Sequence, residues 1–160
     1  MPPSLRPARA DDIPFLAEML AAAACWRPDG PHGSLTEVMG RPDLSHYLTG
    51  WARRGDRGVV AEDGRPLGAA WVRTMPAGDP GYGFVHPDVP GLSIGVVPDR
   101  RGEGVGTPLL DDLVRRAHRQ GVPAISLSVE DSNAVRRLYE RSGFVEVRSA
   151  GGALTMVLHF

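Results

Sequence analysis

Leu92–Val114 reads L-S-I-G-V-V-P-D-R-R-G-E-G-V-G-T-P-L-L-D-D-L-V. Leu92, Ile94 and Val96 alternate as one face of a strand, and Pro98 breaks it. Leu109, Leu110, Leu113, Val114 and Ala117 then recur at helical spacing, and Gly102, Gly104 and Gly106 lie between the two patterns. Glycine lets a backbone come close to a ligand, and a helix start adds unpaired N–H groups and partial positive charge. Strand, glycine-rich turn and helix N-terminus, in that order, predict a site for something carrying phosphates.

Three kinds of phosphate turn compete for this stretch. A P-loop needs Gly-Lys followed by Ser or Thr, and the chain contains no lysine, so that reading fails. A dinucleotide fingerprint needs G-x-G-x-x-G, and the spacing Gly102-x-Gly104-x-Gly106 is one residue short. An acyl-CoA turn, Arg or Gln followed by x-x-Gly-x-Gly or Ala, fits Arg101-Gly102-Glu103-Gly104-Val105-Gly106 without adjustment. An ordinary tight turn is the remaining reading of the same glycines.

A second segment narrows the choice. Ala124–Phe144 reads A-I-S-L-S-V-E-D-S-N-A-V-R-R-L-Y-E-R-S-G-F, with Ile125, Leu127 and Val129 alternating as a strand face. Ser132 or Asn133 is expected to start a helix carrying Val135, Leu138 and Tyr139, which Gly143 ends. Together, V-V-P-D-R-R-G-E-G-V-G at Val96–Gly106 and V-E-D-S-N-A-V-R-R-L-Y-E-R-S-G-F at Val129–Phe144 resemble the GNAT superfamily of acyl-CoA-dependent N-acetyltransferases. The likeness is dense over Leu92–Val147, and two motifs separated by a helix-plus-strand crossover are more specific than either alone. It implies an α/β (α+β) fold with a mixed, mostly antiparallel central sheet, flanked by helices and splayed between its fourth and fifth strands. The implied element order is β-α-α-β-β-β-α-β-α-β-β.

The resemblance also implies roles. An amine attacks the thioester of acetyl-CoA, a co-substrate, and the protein must hold pyrophosphate, oxyanion and two moving protons. Backbone N–H groups of Arg101, Gly102, Glu103, Gly104, Val105, Gly106 and Thr107 would take the pyrophosphate. The strand edge at Ile94, Val96 and Val97 would take the pantetheine arm, with the Val96 N–H on the thioester oxygen; plain core strand is the other reading of these residues. Asn133 is either a helix cap or a contact to pantetheine. Tyr139 either protonates the departing thiolate or packs on the sheet. Many members of the family carry a glutamate base where this chain has Gly91, so His86 and Asp88 are the nearest candidate bases, with a water chain as the alternative. That departure also keeps open a non-catalytic acyl-CoA-binding module. Arg115, Arg116 and Arg119 read as a solvated helix face from which one could touch the 3′-phosphate.

Composition agrees with a soluble domain over residues 1–160. The chain is 42% hydrophobic, with a net charge of −1, which makes no electrostatic case for nucleic acid. No apolar run approaches a membrane span, and the apolar stretch from Phe15 follows Asp11 and Asp12, the wrong flank for a secretory signal. The one cysteine, Cys25, excludes an internal disulfide, suits a reducing cytoplasm, and reads as a small buried hydrophobe ahead of a nucleophile. His32, His46, His118 and His159 lack metal-ligand spacing, so no metal is expected. Leu5–Arg9 reads as a strand, Asp11 or Asp12 as the cap of a helix over Ile13–Ala24, and Leu35–Arg54 as one or two helices broken at Gly40-Arg41-Pro42. Gly58–Glu62 and Leu67–Met75 read as a hairpin around Asp63-Gly64, and Val145–Arg148 with Leu154–Phe160 as a closing strand pair. The Gly/Pro-rich loop Ala77–Pro90 and the segment Trp26–Leu35 are expected to line the substrate, with Trp26, Tyr82 and Phe84 as a wall. The expected partner is a small-molecule or peptide amine, and the chain a monomer or homodimer.

Overall fold

The computed structural model describes residues 3–25 and 35–160. In chain order the elements are β1 (Ser4–Pro7), α1 (Ile13–Ala24), α2 (Leu35–Met39), α3 (Pro42–Ser45), β2 (Arg57–Glu62), β3 (Pro66–Arg73) and β4 (Gly91–Val96). They continue with α4 (Gly106–Arg119), β5 (Ala124–Glu130), α5 (Arg136–Arg141), β6 (Val145–Ala150) and β7 (Ala153–His159). Seven strands form one sheet in the order β1-β2-β3-β4-β5-β7-β6. Every neighbouring pair is antiparallel except β4 with β5. This is the mixed, mostly antiparallel sheet expected, and it is splayed where expected. β3 and β4 pair over six positions from Gly68↔Val96 to Arg73↔Gly91, whereas β4 meets β5 only at Gly91↔Ser126.

Helices cover both faces. α4 buries Leu109, Leu110, Leu113 and Ala117, one stripe at helical spacing, against the face that carries Ala70, Val72, Leu92, Ile125 and Leu127. α1 buries Leu16, Met19 and Leu20 against the opposite face, with Val60, Ala69, Trp71 and Val97. Each fully buried Leu contributes about 1.5–3 kcal/mol of transfer free energy, so both helices are held mainly by these stripes. Gly95 permits the close approach of α1: a Cβ there would lie 2.6 Å from the carbonyl oxygen of Met19. Gly68, on β3, does the same for α4, since its Cβ would meet Leu109 at 3.0 Å.

Three local expectations need correction. Asp12 stands at the N-cap position of α1, but its side chain does not cap the helix; its carboxylate takes two hydrogen bonds from Arg6 (2.7 and 2.8 Å) and one from the Arg9 N–H (2.7 Å), closing a single 3-10 turn at Ala10–Asp12. The Arg6 guanidinium holds that carboxyl below its ordinary range. Helical structure ends at Ser45 and does not run to Arg54: Arg73 takes the carbonyls of His46 and Thr49, and Gly50, Ala52 and Gly55 adopt positive φ (74°, 73° and 94°). α5 starts at Arg136, three residues later than Asn133, because the carbonyls of Asn133, Ala134 and Val135 first accept i+3 bonds from Arg136, Arg137 and Leu138.

Candidate active site

The splay leaves one edge of β4 open, and the hydrogen-bond pattern says which groups point into it. The Val97 N–H donates to the Leu67 carbonyl at 2.8 Å. Bonding direction alternates along an antiparallel strand, so Gly95, Ser93 and Gly91 also face β3. The N–H groups of Val96 and Ile94 therefore face the gap, beyond the last contact with β5. Val97 itself is committed to β3, with its side chain buried under α1.

A second set of donors lies in the turn that follows β4. Gly102 and Gly104 sit at φ 78° and 80°, the left-handed conformation a side chain disfavours. Among the described residues, the N–H groups of Gly102, Glu103, Gly104, Val105, Gly106 and Thr107 donate to no carbonyl and no side chain. Such a run at the start of a fourteen-residue helix is an arrangement that can hold an anion. Arg101 differs from expectation: its N–H is spent on Pro98 at 3.4 Å, and its side chain donates to the carbonyls of Val96 (3.4 Å) and Ala22 (3.2 Å). It ties the end of β4 to the C-terminus of α1, where a cation is favoured. Val105 is buried beneath the turn, and Glu103 turns outward to Arg100 at 3.3 Å. Arg115 and Arg116 both pair with Asp112 on the outer face of α4.

α5 packs beside this turn: a Cβ on Gly106 would lie 3.3 Å from Leu138. Asn133 Oδ1 accepts from the Val135 N–H at 3.1 Å, which satisfies the helix entrance and leaves its amide N–H groups without a partner among the described residues. Tyr139 is 6% exposed and tilted against Phe144, with ring centroids 6.0 Å apart. Its hydroxyl has no hydrogen-bond partner among the described residues, and burial pushes the phenol well above the ordinary tyrosine value. It is therefore protonated at any physiological pH.

The loop between β3 and β4 crosses the other face of the splay. It is latched to the α3 side by Tyr82 O–H to Asp43, by the Tyr82 N–H to Tyr47 Oη (2.7 Å) and by His46 Nδ1 with Asp79 (2.9 Å). Arg148 on β6 donates to its Phe84 carbonyl at 2.8 Å. Beneath the loop is a pocket lined by Tyr47, Met75, Phe84, Leu92, Ser126 and Ser128, among others. Phe84 is thus in the wall, while Tyr82 is largely exposed; Trp26 and His32 lie outside the described residues. His86 and Asp88 are brought together, with the Asp88 N–H on His86 Nδ1 at 3.0 Å, but their side chains are 62% and 81% exposed and do not line this pocket.

Sequence reasoning missed two features. Arg73 and Asp56 form a buried bidentate pair (3.0 and 2.7 Å), and Arg73 also donates to the carbonyls of His46 and Thr49. This pair anchors the segment that carries His46 and Tyr47. Ser126, by its alternation with Ile125 and Leu127, looks like an outward strand position, yet it is fully buried. Neither feature has a local signal, since each depends on a contact distant in sequence.

The model of the acetyltransferase (GNAT) family matches residues 19–144. A mycothiol acetyltransferase of Geodermatophilus obscurus is 39% identical over 89 residues, covering 53% of this chain and 27% of that protein. A [ribosomal protein bS18]-alanine N-acetyltransferase of Haemophilus influenzae is 40% identical over 56 residues, covering 35% of this chain and 38% of that protein. The chain spans about a quarter of the length of the mycothiol acetyltransferases it matches at 39% and 37% identity. Among solved structures, the ribosomal-protein-alanine N-acetyltransferase of Brucella melitensis superposes with a TM-score of 0.71 at 24% identity, covering 98% of this chain and 99% of that one. A phosphinothricin acetyltransferase of Sinorhizobium meliloti in complex with AcCoA superposes with a TM-score of 0.70 at 23% identity, covering 100% and 89%. These two likenesses are of fold.

Proposed function

The chain belongs to the GNAT acetyltransferase family, and from that premise we propose that it moves an acetyl group from acetyl-CoA to a primary amine by direct attack. One observation carries the reading: the open edge of β4 offers the N–H groups of Ile94 and Val96, and the turn that follows offers the unbonded N–H groups of Gly102–Thr107. A pyrophosphate suits the turn, and a pantetheine arm suits the edge. An arm leaving the turn passes Val96 before Ile94. Val96 then holds a pantetheine amide, and the Ile94 N–H, farther along, receives the thioester oxygen in place of Val96.

The chemistry follows from that order. The amine nitrogen bonds to the thioester carbon, and the negative charge on oxygen is met by a backbone donor that does not have to reorient. The C–S bond breaks, and Tyr139, kept neutral by burial, gives the thiolate its proton. The amine proton goes to water, because Gly91 offers no side chain and His86 and Asp88 face solvent on the outside of the loop. Among the described residues, no helix is long and apolar enough to cross a membrane. Release of free CoA thiol, measured with acetyl-CoA and a panel of primary amines, tests the proposal. Acetyl-CoA bound without turnover of any amine would make the protein a binding module.

A further inference from the structure

Four buried side-chain atoms among the described residues have no hydrogen-bond partner: His46 Nε2, Arg100 Nε, Ser126 Oγ and Arg136 Nε. The two arginine nitrogens lie 3.3 and 3.7 Å from Glu103 and Glu140, so their charge is answered. Of the other two, Ser126 lines a pocket and His46 does not. Ser126, fully buried, lines the pocket under the β3–β4 loop. The His46 ring stands edge-on to Tyr47 with centroids 4.6 Å apart, and Tyr47 forms the pocket's wall. Folded proteins leave few buried polar groups unsatisfied, and one on a residue that lines a pocket indicates a missing partner.

The pocket's chemistry limits that partner. None of its lining residues is charged, and its hydroxyls come from Tyr47, Ser126 and Ser128. The enclosed part has room for one group the size of a water molecule, such as a terminal hydroxyl. Its place along β4 matters as well: Ser126 pairs with Gly91, three residues before Ile94, or about 10 Å along the strand. Resting on the acetyltransferase reading above, we infer that Ser126 sets acceptor specificity, hydrogen-bonding a neutral hydroxyl at the far end of a primary amine. The acceptor class is a hydroxyl-bearing amine whose two ends stand about 10 Å apart.

Aminohexanol and hexylamine form a matched pair that differ by that hydroxyl. The wild-type protein should favour aminohexanol in kcat/KM by about tenfold to hundredfold, the usual penalty for leaving a buried polar group unpaired. Ser126→Ala should erase the preference by lowering kcat/KM for aminohexanol alone, with acetyl-CoA affinity unchanged. Removing an unsatisfied hydroxyl should leave Tm unchanged or raise it, so the variant will fold. Equal use of the two amines by the wild type, or use of neither, overturns the inference. An equal fall for both amines in Ser126→Ala also overturns it, and makes the hydroxyl the seat of an ordered water. The acetyltransferase reading fails by different results: no acetyl-CoA binding in calorimetry, or no CoA release with any amine.

Discussion

Gly104→Glu bears most directly on the proposed co-substrate site. Gly104 sits at φ 80°, its N–H and those of its neighbours have no acceptor among the described residues, and a Cβ there meets nothing within 4 Å. An L side chain in that conformation costs about 1–2 kcal/mol, or relaxes by flipping the turn and misdirecting the donors. Relaxation forfeits at least one charge-assisted hydrogen bond, about 1.5–3 kcal/mol, so Gly104→Ala should weaken acetyl-CoA binding about tenfold or more. Glutamate adds a like charge; at about 4 Å and an effective dielectric of about 20 its repulsion of a phosphate is about 4 kcal/mol, close to a thousandfold. Salt should return part of the loss with Glu and none with Ala, because only the former is electrostatic. Isothermal titration calorimetry at two ionic strengths reads both numbers. Strain of this size lowers Tm by roughly 2–8 °C in a chain of this length, so both variants remain folded at 25 °C. Unchanged acetyl-CoA affinity in folded Gly104→Glu would refute the reasoning.

Tyr139→Phe should lower kcat by about 10²–10⁴-fold while acetyl-CoA affinity holds, and equal turnover in single-turnover assays returns the residue to packing. His86→Ala and Asp88→Asn should leave the pH profile of kcat/KM unchanged; a loss confined to low pH would make one of them the base. Asp56→Asn strands the buried Arg73 guanidinium and should cost about 3–5 kcal/mol, or roughly 6–20 °C in Tm by calorimetry. Arg6 depresses the Asp12 carboxyl, so that carboxylate stabilises the fold above the ordinary carboxylate value, and the gain disappears as pH falls through the lowered native one. Urea midpoints from about pH 6 down to about pH 2.5 should therefore fall less steeply in Asp12→Asn than in wild type.

Elements set by local pattern were legible. α1 was legible at about Ile13–Ala24, since the apolar pattern that defines it is local. The strand at Leu92–Val96 and the turn after it were legible for the same reason, but the gap beside that strand was not: alternation shows which side chains are buried, not which neighbour is missing. The splay came from family resemblance. Tertiary contacts defeated the rest. The turns after Ser45 follow Arg73, whose N–H groups draw in the carbonyls of His46 and Thr49 from across the sheet. Ser126 hides because Gly83 lets the loop lie on β5, where a Cβ would come within 2.5 Å of the Leu127 backbone.

An open strand edge inside a sheet is costly unless something other than its missing neighbour holds the strand. β4 is held from three sides. β3 pairs with it along its whole length, α1 rests on it at Gly95, and α4 packs on Ile94 and Val96 from below. Arg101 fixes its far end to α1, and the Gly91↔Ser126 bridge fixes its near end to β5. The strand is thus rigid where the ligand's amides would pair, and its donors need no rearrangement on binding. β5 can diverge because β7 pairs with all seven of its residues from Ala124↔His159 to Glu130↔Ala153, leaving it independent of β4. Gly95 on β4 and Gly68 on its neighbour β3 let two helices approach this strand pair so closely. A side chain at Gly95 would lift α1 from the edge, so Gly95→Ala should damage acetyl-CoA binding without touching any group that contacts it.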